Sequence, residues 1–396
     1  MNEGHNDVSI FQKIIWSFPW LVRYPLWRAG RVVRRLYEPT TKLHVIFLVA
    51  NHWEPGTGKQ AIPRVERWMD MARETGNALR DCDGIPFRHT NFYPAEQYER
   101  PLLELLAQLQ DEGFGEVEIH LHHGIERPDT AENTRTVLRA FRDVLADYHK
   151  CLSRENPASE PKYAFVHGNW ALANSSGGRW CGVDSEMQIL ADTGCYADFT
   201  LPSVPHQAQV SKINTIYSCG RPLGERKPHR SGQSVSVGDK PKEPIIFEGP
   251  LVFDWTRRIY SVPVPRIDDG ALAENYRLTM RRFSRWMSAG ISVVGRADWV
   301  FIKLYSHGFF DWDQDAMIGA QMRRFMNEVL DTADKTGNFQ VYFASAREAY
   351  NMVMAAVDGH SGSPGQYRDY KLKQIMRTDA QLGVKPLRSE VGSLAD

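Results

Sequence analysis

Short apolar runs of strand length alternate with stretches of helical spacing through most of this chain, and that alternation constrains its fold more than any other feature. The run at 42–55, "KLHVIFLVANHWEP", is continuous and apolar and ends in polar residues, as a buried strand feeding a loop does. "PRVERWMDMARETGNALRD" follows with helical spacing. "PFRHTNFYPAEQY" reads as a short strand stopped by Pro94. "YERPLLELLAQLQDEGFG" reads as a helix with a glycine stop. Next come the strand "EVEIHLHHG" (116–124) and the long capped helix "DTAENTRTVLRAFRDVLADYHKCL". The strands "KYAFVHGNWAL" and "CYADFTLPS" flank the helix "DSEMQILADTG", opened by Asp184 and ended by Gly194. "PIIFEGPLVFDW" (244–255) and "ADWVFIKLYSHG" (297–308) are further strands, with a helical stretch near 273–288 between them. "DQDAMIGAQMRRFMNEVLDTADKTG" reads as one helix, "FQVYFAS" as the last strand and "AREAYNMVMAAVDG" as the last helix. Such alternation implies parallel strands joined by helical crossovers, so an α/β fold, either a barrel or an open doubly wound sheet.

The chain divides by composition. Residues 1–40 form a basic, aromatic arm, residues 41–358 the α/β domain, and residues 359–396 a polar tail read as poorly ordered. Residues 206–245, rich in Gly, Ser, Lys, Arg and Pro, read as an irregular insertion and a candidate lid. There is no readable secretory signal, because the first residues are polar and the apolar stretch after them is broken by Lys13, Pro19, Arg23 and Pro25. The arm is too interrupted to span a bilayer. Its Trp16, Phe18, Trp20 and Trp27 mixed with Arg23, Arg28, Arg31, Arg34 and Arg35 fit two readings: a segment (residues 10–37) on an anionic membrane surface, or an arm packed on the domain or on a second subunit. The balance of 48 basic and 48 acidic residues argues against nucleic acid as a partner. Five cysteines without a Cys-x-x-Cys pair make a disulfide framework a poor reading, so the expected compartment is the reducing cytoplasm, at or near the inner membrane face.

In parallel α/β folds the working residues gather at the C-terminal ends of the strands. Here those ends read "NHWEP", "NFYPAEQY", "HLHHG", "HGNW", "FTLPS", "FDW" and "YSHG", and four of the seven carry histidine. His120 and His122 stand two apart, on one face of a strand, roughly 6.5–7 Å apart along the chain. Two imidazoles so placed can converge on one ion, and His52 supplies a third ligand from another strand end, which makes zinc or a similar divalent ion the expected cofactor. Glu54 is the only carboxylate in "NHWEP" and the candidate base, unless it is itself a ligand. His307 is the candidate acid, because imidazole titrates near neutrality. Trp53, Tyr93, Tyr98 and Trp170 are candidate stacking surfaces for sugar rings, with core packing as the competing role; Asn169 joins them as a candidate substrate contact. Arg179 either holds a charged substrate or is a solvated loop charge. The absence of a G-x-S-x-G elbow, a P-loop and a G-x-G-x-x-G motif argues against serine hydrolase, nucleotide and dinucleotide chemistry.

The order of these strand ends resembles the polysaccharide deacetylase superfamily of carbohydrate esterases. "EVEIHLHHG" takes the place of its histidine motif, "FVHGNWALANSSGGRWCGVDSEMQILADTGCYADFTLPS" that of its next motif, helix and strand, and "FIKLYSHG" that of its last histidine strand. The resemblance covers about residues 42–350 and implies a distorted (β/α)7 barrel that removes acetyl groups from a glycan with a divalent metal. It also implies His120 and His122 as ligands and His307 as the acid. The chain departs from the family where that family has an aspartate pair: Asn51 and His52, or Trp53 and Glu54, stand there instead. A non-catalytic glycan-binding protein on the same fold, or another amidohydrolase of C–N bonds, are the alternatives.

Overall fold

The structure, a computed structural model, describes residues 9–37, 42–155 and 158–376. Fourteen strands lie among the described residues: β1 (Leu43–His52), β2 (His89–Pro94), β3 (Gly115–Leu121), β4 (Tyr163–His167), β5 (Cys195–Asp198), β6 (Thr215–Cys219), β7 (Gly232–Ser234), β8 (Ile245–Glu248), β9 (Val252–Asp254), β10 (Arg258–Ile259), β11 (Val262–Pro263), β12 (Arg266–Asp268), β13 (Trp299–Ser306) and β14 (Phe339–Ala344). The helices are α1 (Ile10–Leu21), α2 (Tyr24–Tyr37), α3 (Ala61–Ala78), α4 (Arg100–Asp111), α5 (Ala131–Asp143), α6 (Glu186–Asp192), α7 (Met280–Ala289), α8 (Gln314–Ile318), α9 (Ala320–Thr336) and α10 (Ala346–Val357).

β1 is the axis of the molecule. Its run from Val45 to Ala50 is buried on both faces, and each such aliphatic side chain stabilises the fold by about 1.5–3 kcal/mol. One edge of β1 pairs with β13 over residues 44–51; the other pairs with β14 over 43–48 and with β2 over 50–52. From β2 the sheet continues in parallel through β3, β4, β5 and β8, and β6 and β7 extend it antiparallel. The result is a large, mostly parallel central sheet with helices around it. A closed (β/α)7 barrel is not shown, since no ladder among the described residues joins β13 to β8.

Lys303 spans that gap. It projects from β13 and is almost fully buried. Its Nζ donates to the carbonyls of Phe199 (3.0 Å), Phe247 (3.1 Å) and Leu201. Burial lowers its pKa to about 8. On the same side, the amide of Phe301 donates to Ile291 and that of Val294 to Val235, so residues 291–294 lie between β13 and the β6–β7 end of the sheet.

Several elements differ from expectation for readable reasons. Residues 206–245 are not simply irregular: β6 and β7 form a hairpin that lengthens the sheet. The expected strand at 244–255 splits into β8 and β9 at Gly249–Pro250, where Gly249 has φ +103° and Pro250 offers no donor. The long helix at 313–337 breaks at Gly319, where a Cβ would stand 2.6 Å from Asp315 Cα. The 359–396 tail is ordered through its first part. Arg368 pairs with Asp81 (2.9 Å) and Glu348 (3.3 Å), and Leu372 and Met376 are buried. Residues 377–396 lie outside the described residues, as do 1–8 and 38–40 of the arm and residue 41.

The arm folds as α1 and α2. Trp20 and Tyr24 are buried against Ile213 and Leu251, and both rings contact Phe253, with centroids 5.5 and 4.7 Å apart. Among the described residues no helix is long and apolar enough to cross a membrane.

Candidate metal centres at the strand ends

The end of β1 alternates as an extended strand must. His52 and Glu54 point one way and Trp53 the other. Trp53 is fully buried, stacked on Tyr93 at 5.3 Å and edge-on to Phe309 at 4.9 Å. Both Trp53 and Tyr93, expected to contact substrate, are therefore core side chains; Tyr93 spends its hydroxyl on Gln97 O and the Glu99 amide.

His52 and Glu54 meet His120 from β3, and one donor atom from each lies within 4.8 Å of the others. His120 is fully buried, with Nδ1 2.8 Å from Val166 O and Nε2 3.2 Å from Glu54 Oε1. A carbonyl cannot donate, so Nδ1 carries a proton. Nε2 faces the Glu54 carboxylate, so both residues can turn donor atoms towards one ion. Burial and the neighbouring His307 and His120 hold His52 well below the ordinary imidazole range, so it is a neutral donor. Burial pushes Glu54 up, but the His120 hydrogen bond and the surrounding imidazoles outweigh it and hold the carboxyl well below its usual range. Two imidazole nitrogens and a carboxylate with one side open are a donor set that fits zinc or a similar divalent ion.

His122 and His307 flank this trio. His122 places Nδ1 2.7 Å from Glu96 Oε1 and Nε2 3.6 Å from Glu54 Oε1. The sequence makes His122 a ligand and Glu54 the base unless it is itself a ligand, and the tight trio contains Glu54 rather than His122. Glu96 was overlooked; its signal is its place two residues past the strand stop at Pro94. The His307 ring lies 4.5 Å from that of His52, between centroids, and burial lowers its pKa. Asn51 fixes this corner: its Oδ1 accepts from the Gly308 amide (2.9 Å) and its Nδ2 donates to Asn91 Oδ1 (2.9 Å). Asn51 is thus a brace between three strand ends. The opening is uneven: the side chains of Glu54 and His122 are 25% and 18% exposed, while His120 is sealed.

The loop after β4 abuts this centre. A Cβ on Gly168 would stand 2.4 Å from His122 Cδ2, so the backbone leading to Asn169 and Trp170 presses on that ring. Asn169 has φ +54° and, like Trp170, is half-buried. The rings of Trp170 and Trp180 lie 6.3 and 6.0 Å from that of His206. Arg179 is exposed, with its guanidinium 3.9 Å over the Trp180 ring.

A second cluster was not anticipated. His123, His167, Cys181 and Glu186 are all buried and each offers one donor atom within 4.8 Å of the rest. His123 adjoins the paired histidines of β3, while Cys181 and Glu186 sit on a loop and a helix far along the chain from it. All five cysteines are free thiols.

Fold and donors together define a class: an α/β protein with a mostly parallel sheet and two clusters of side chains that could hold a metal ion. Beyond that class, no protein-family model matches the chain and no curated protein matches it.

Proposed function

We propose that the chain is a metal-dependent hydrolase of the polysaccharide deacetylase kind, removing acetyl groups from a glycan or glycan precursor. The observation that carries the reading is the convergence of His52, Glu54 and His120, with His122 and His307 beside them, at the open strand ends. The succession of parallel strands, with Lys303 and residues 291–294 spanning the remaining gap, supports a distorted barrel.

His52, Glu54 and His120 would hold the ion. When bound, a divalent ion of this kind polarises an acyl carbonyl and makes water a better acid. His122, oriented by Glu96, accepts the proton of the attacking water at Nε2. His307, on the other side of His52, passes a proton to the departing nitrogen or oxygen. Trp170 and Trp180, with Arg179, offer the aromatic and cationic surface on which a sugar chain would lie.

The partner surface extends to the arm. α1 and α2 bury Trp20 and Tyr24 but leave Phe11, Phe18 and Leu26 60–75% exposed beside Arg23 and Arg28. An apolar face rimmed with arginine suits an anionic bilayer surface, so the proposed place of work is at a membrane face.

A second reading has one observation in its favour. In one of the two registers of the resemblance Asn51 stands where the family has an aspartate, and its amide serves as a brace. That favours a glycan-binding protein without turnover. Acetate release from a panel of acetylated glycans, with and without chelator, separates the two. Metal-dependent release lost in His120→Ala supports the hydrolase; glycan binding without release in wild type supports the alternative.

A further inference from the structure

The second cluster has different architecture from the first, and the difference is chemical. Its four side chains, His123, His167, Cys181 and Glu186, are each no more than 7% exposed. His123 Nδ1 lies 2.9 Å from Asp129 Oδ2, a carboxylate oxygen that also accepts from Thr134 Oγ1 at 2.8 Å. His167 Nδ1 faces the carbonyl of Gly168. Both rings therefore spend their Nδ1 protons outward, and both turn Nε2 inward. The two Nε2 atoms stand 3.1 Å apart, and Glu186 Oε1 stands 2.8 Å from one and 3.2 Å from the other. The other oxygen of Glu186 is occupied by the Ala173 amide at 2.6 Å. Two imidazole Nε2 atoms and a carboxylate oxygen thus face one another beside a thiol, shut off from water, and a cation at their centre would serve all four donors at once.

The backbone is built to bring them together. Gly124 has φ +63°, and a Cβ there would stand 2.2 Å from Cys181 O; at Gly182, with φ +92°, it would stand 2.7 Å from Asp129 N. The two loops are then laced by Trp180 N to Gly124 O and Asp129 N to Cys181 O, each 2.8 Å.

We infer that His123, His167, Cys181 and Glu186 form a closed structural metal site for zinc or a similar divalent ion, separate from the open centre at His52, Glu54 and His120. Four protein ligands with no open side are the mark of a structural zinc site, and three with an open side that of a catalytic one. A thiolate and a carboxylate balance the charge of a divalent ion, which makes its burial tolerable. Its effect is to pin the loop at 173–186, which carries Arg179 and Trp180, to the end of β3 next to His122. The inference does not depend on what the open centre does.

Cobalt loading of the full-length protein tests it. Cys181 is the only thiol in either cluster, so a near-ultraviolet thiolate-to-cobalt charge-transfer band reports the closed site alone. We expect that band in the wild type, and in Cys181→Ser its loss together with one metal equivalent by elemental analysis. His52→Ala/His120→Ala should keep the band while losing the other equivalent. A cobalt-loaded wild type without the band overturns the inference, as does a Cys181→Ser protein that retains full metal content and the band. The wild-type spectrum decides even where Cys181→Ser fails to fold.

Discussion

His122 and His123 are neighbours in the chain but belong to different centres: His122 pairs with Glu96 at 2.7 Å, and His123 with Glu186 at 2.8 Å. The end of β3 deals successive side chains to opposite faces, so one dipeptide serves an open site and a sealed one. Alanine at the two positions should therefore act differently. His122→Ala is expected to lower acetate-release turnover by about 100-fold, the range of a lost general base, with its melting temperature near that of wild type. His123→Ala leaves buried polar partners unmatched and should cost about 3 kcal/mol in chemical denaturation. Equal loss of stability in both would refute the division of labour.

His307→Gln keeps the size of the side chain and removes the titrating group. If His307 hands a proton to the leaving group, kcat should drop by about 100-fold or more with KM little changed. An ester with a phenolate leaving group needs no such proton and should be hydrolysed at close to the wild-type rate. A uniform loss on both substrates argues against the acid role.

Lys303 ties β13 to the carbonyls of Phe199, Leu201 and Phe247. Lys303→Met fills the same space without donating and leaves those carbonyls unmatched in the interior. The expected cost is about 3 kcal/mol or more, read from urea midpoints. A midpoint unchanged within error would mean that the carbonyls find other donors.

A pH signature follows from His89, which is buried edge-on to Trp68 at 5.3 Å. Burial depresses its pKa from the ordinary 6.5 to about 3. The unfolded chain binds this proton first as pH falls, so the stability attached to a neutral His89 is lost from about pH 6.5 down to about 3. Between pH 7 and pH 5 the wild type should lose about 2 kcal/mol relative to His89→Leu. The comparison with the variant is essential, because buried Glu118 and Glu248 have pKa values raised by burial to about 8 and 7 and act in the opposite sense. Parallel pH profiles for the two proteins would dismiss the assignment.

The arm predicts flotation with vesicles. Full-length protein should float with phosphatidylserine-containing vesicles and stay behind with pure phosphatidylcholine. Phe18→Glu/Leu26→Glu alters only exposed positions, so it should abolish flotation while leaving the melting curve intact. Flotation unaffected by the double substitution would place the contact elsewhere.

Much of this was legible in the residues. Apolar runs ending in polar groups marked β1 and β13, and the spacing of His120 and His122 placed both beside the open centre. Trp53 and Tyr93 misled because an aromatic at a strand end reads alike whether it faces in or out. The alternation that turned His52 and Glu54 towards the site also turned Trp53 into the core. The closed cluster was hidden for another reason. Its histidines and its glutamate come from three elements, and 63 residues separate His123 from Glu186. What unites them is the close approach of two loops at Gly124 and Gly182, which no local pattern announces. The hairpin of β6 and β7 was masked by its glycine- and lysine-rich composition.

Gly168 lies flat against the His122 ring, with room for a hydrogen and nothing larger. Its φ is not left-handed, so the need for glycine there comes from its neighbour and not from its own backbone. The consequence is genetic. A single-base change at codon 168 would displace the His122 imidazole without touching any ionisable side chain. In a saturation-mutagenesis library selected for activity, position 168 should be as depleted as the histidines themselves.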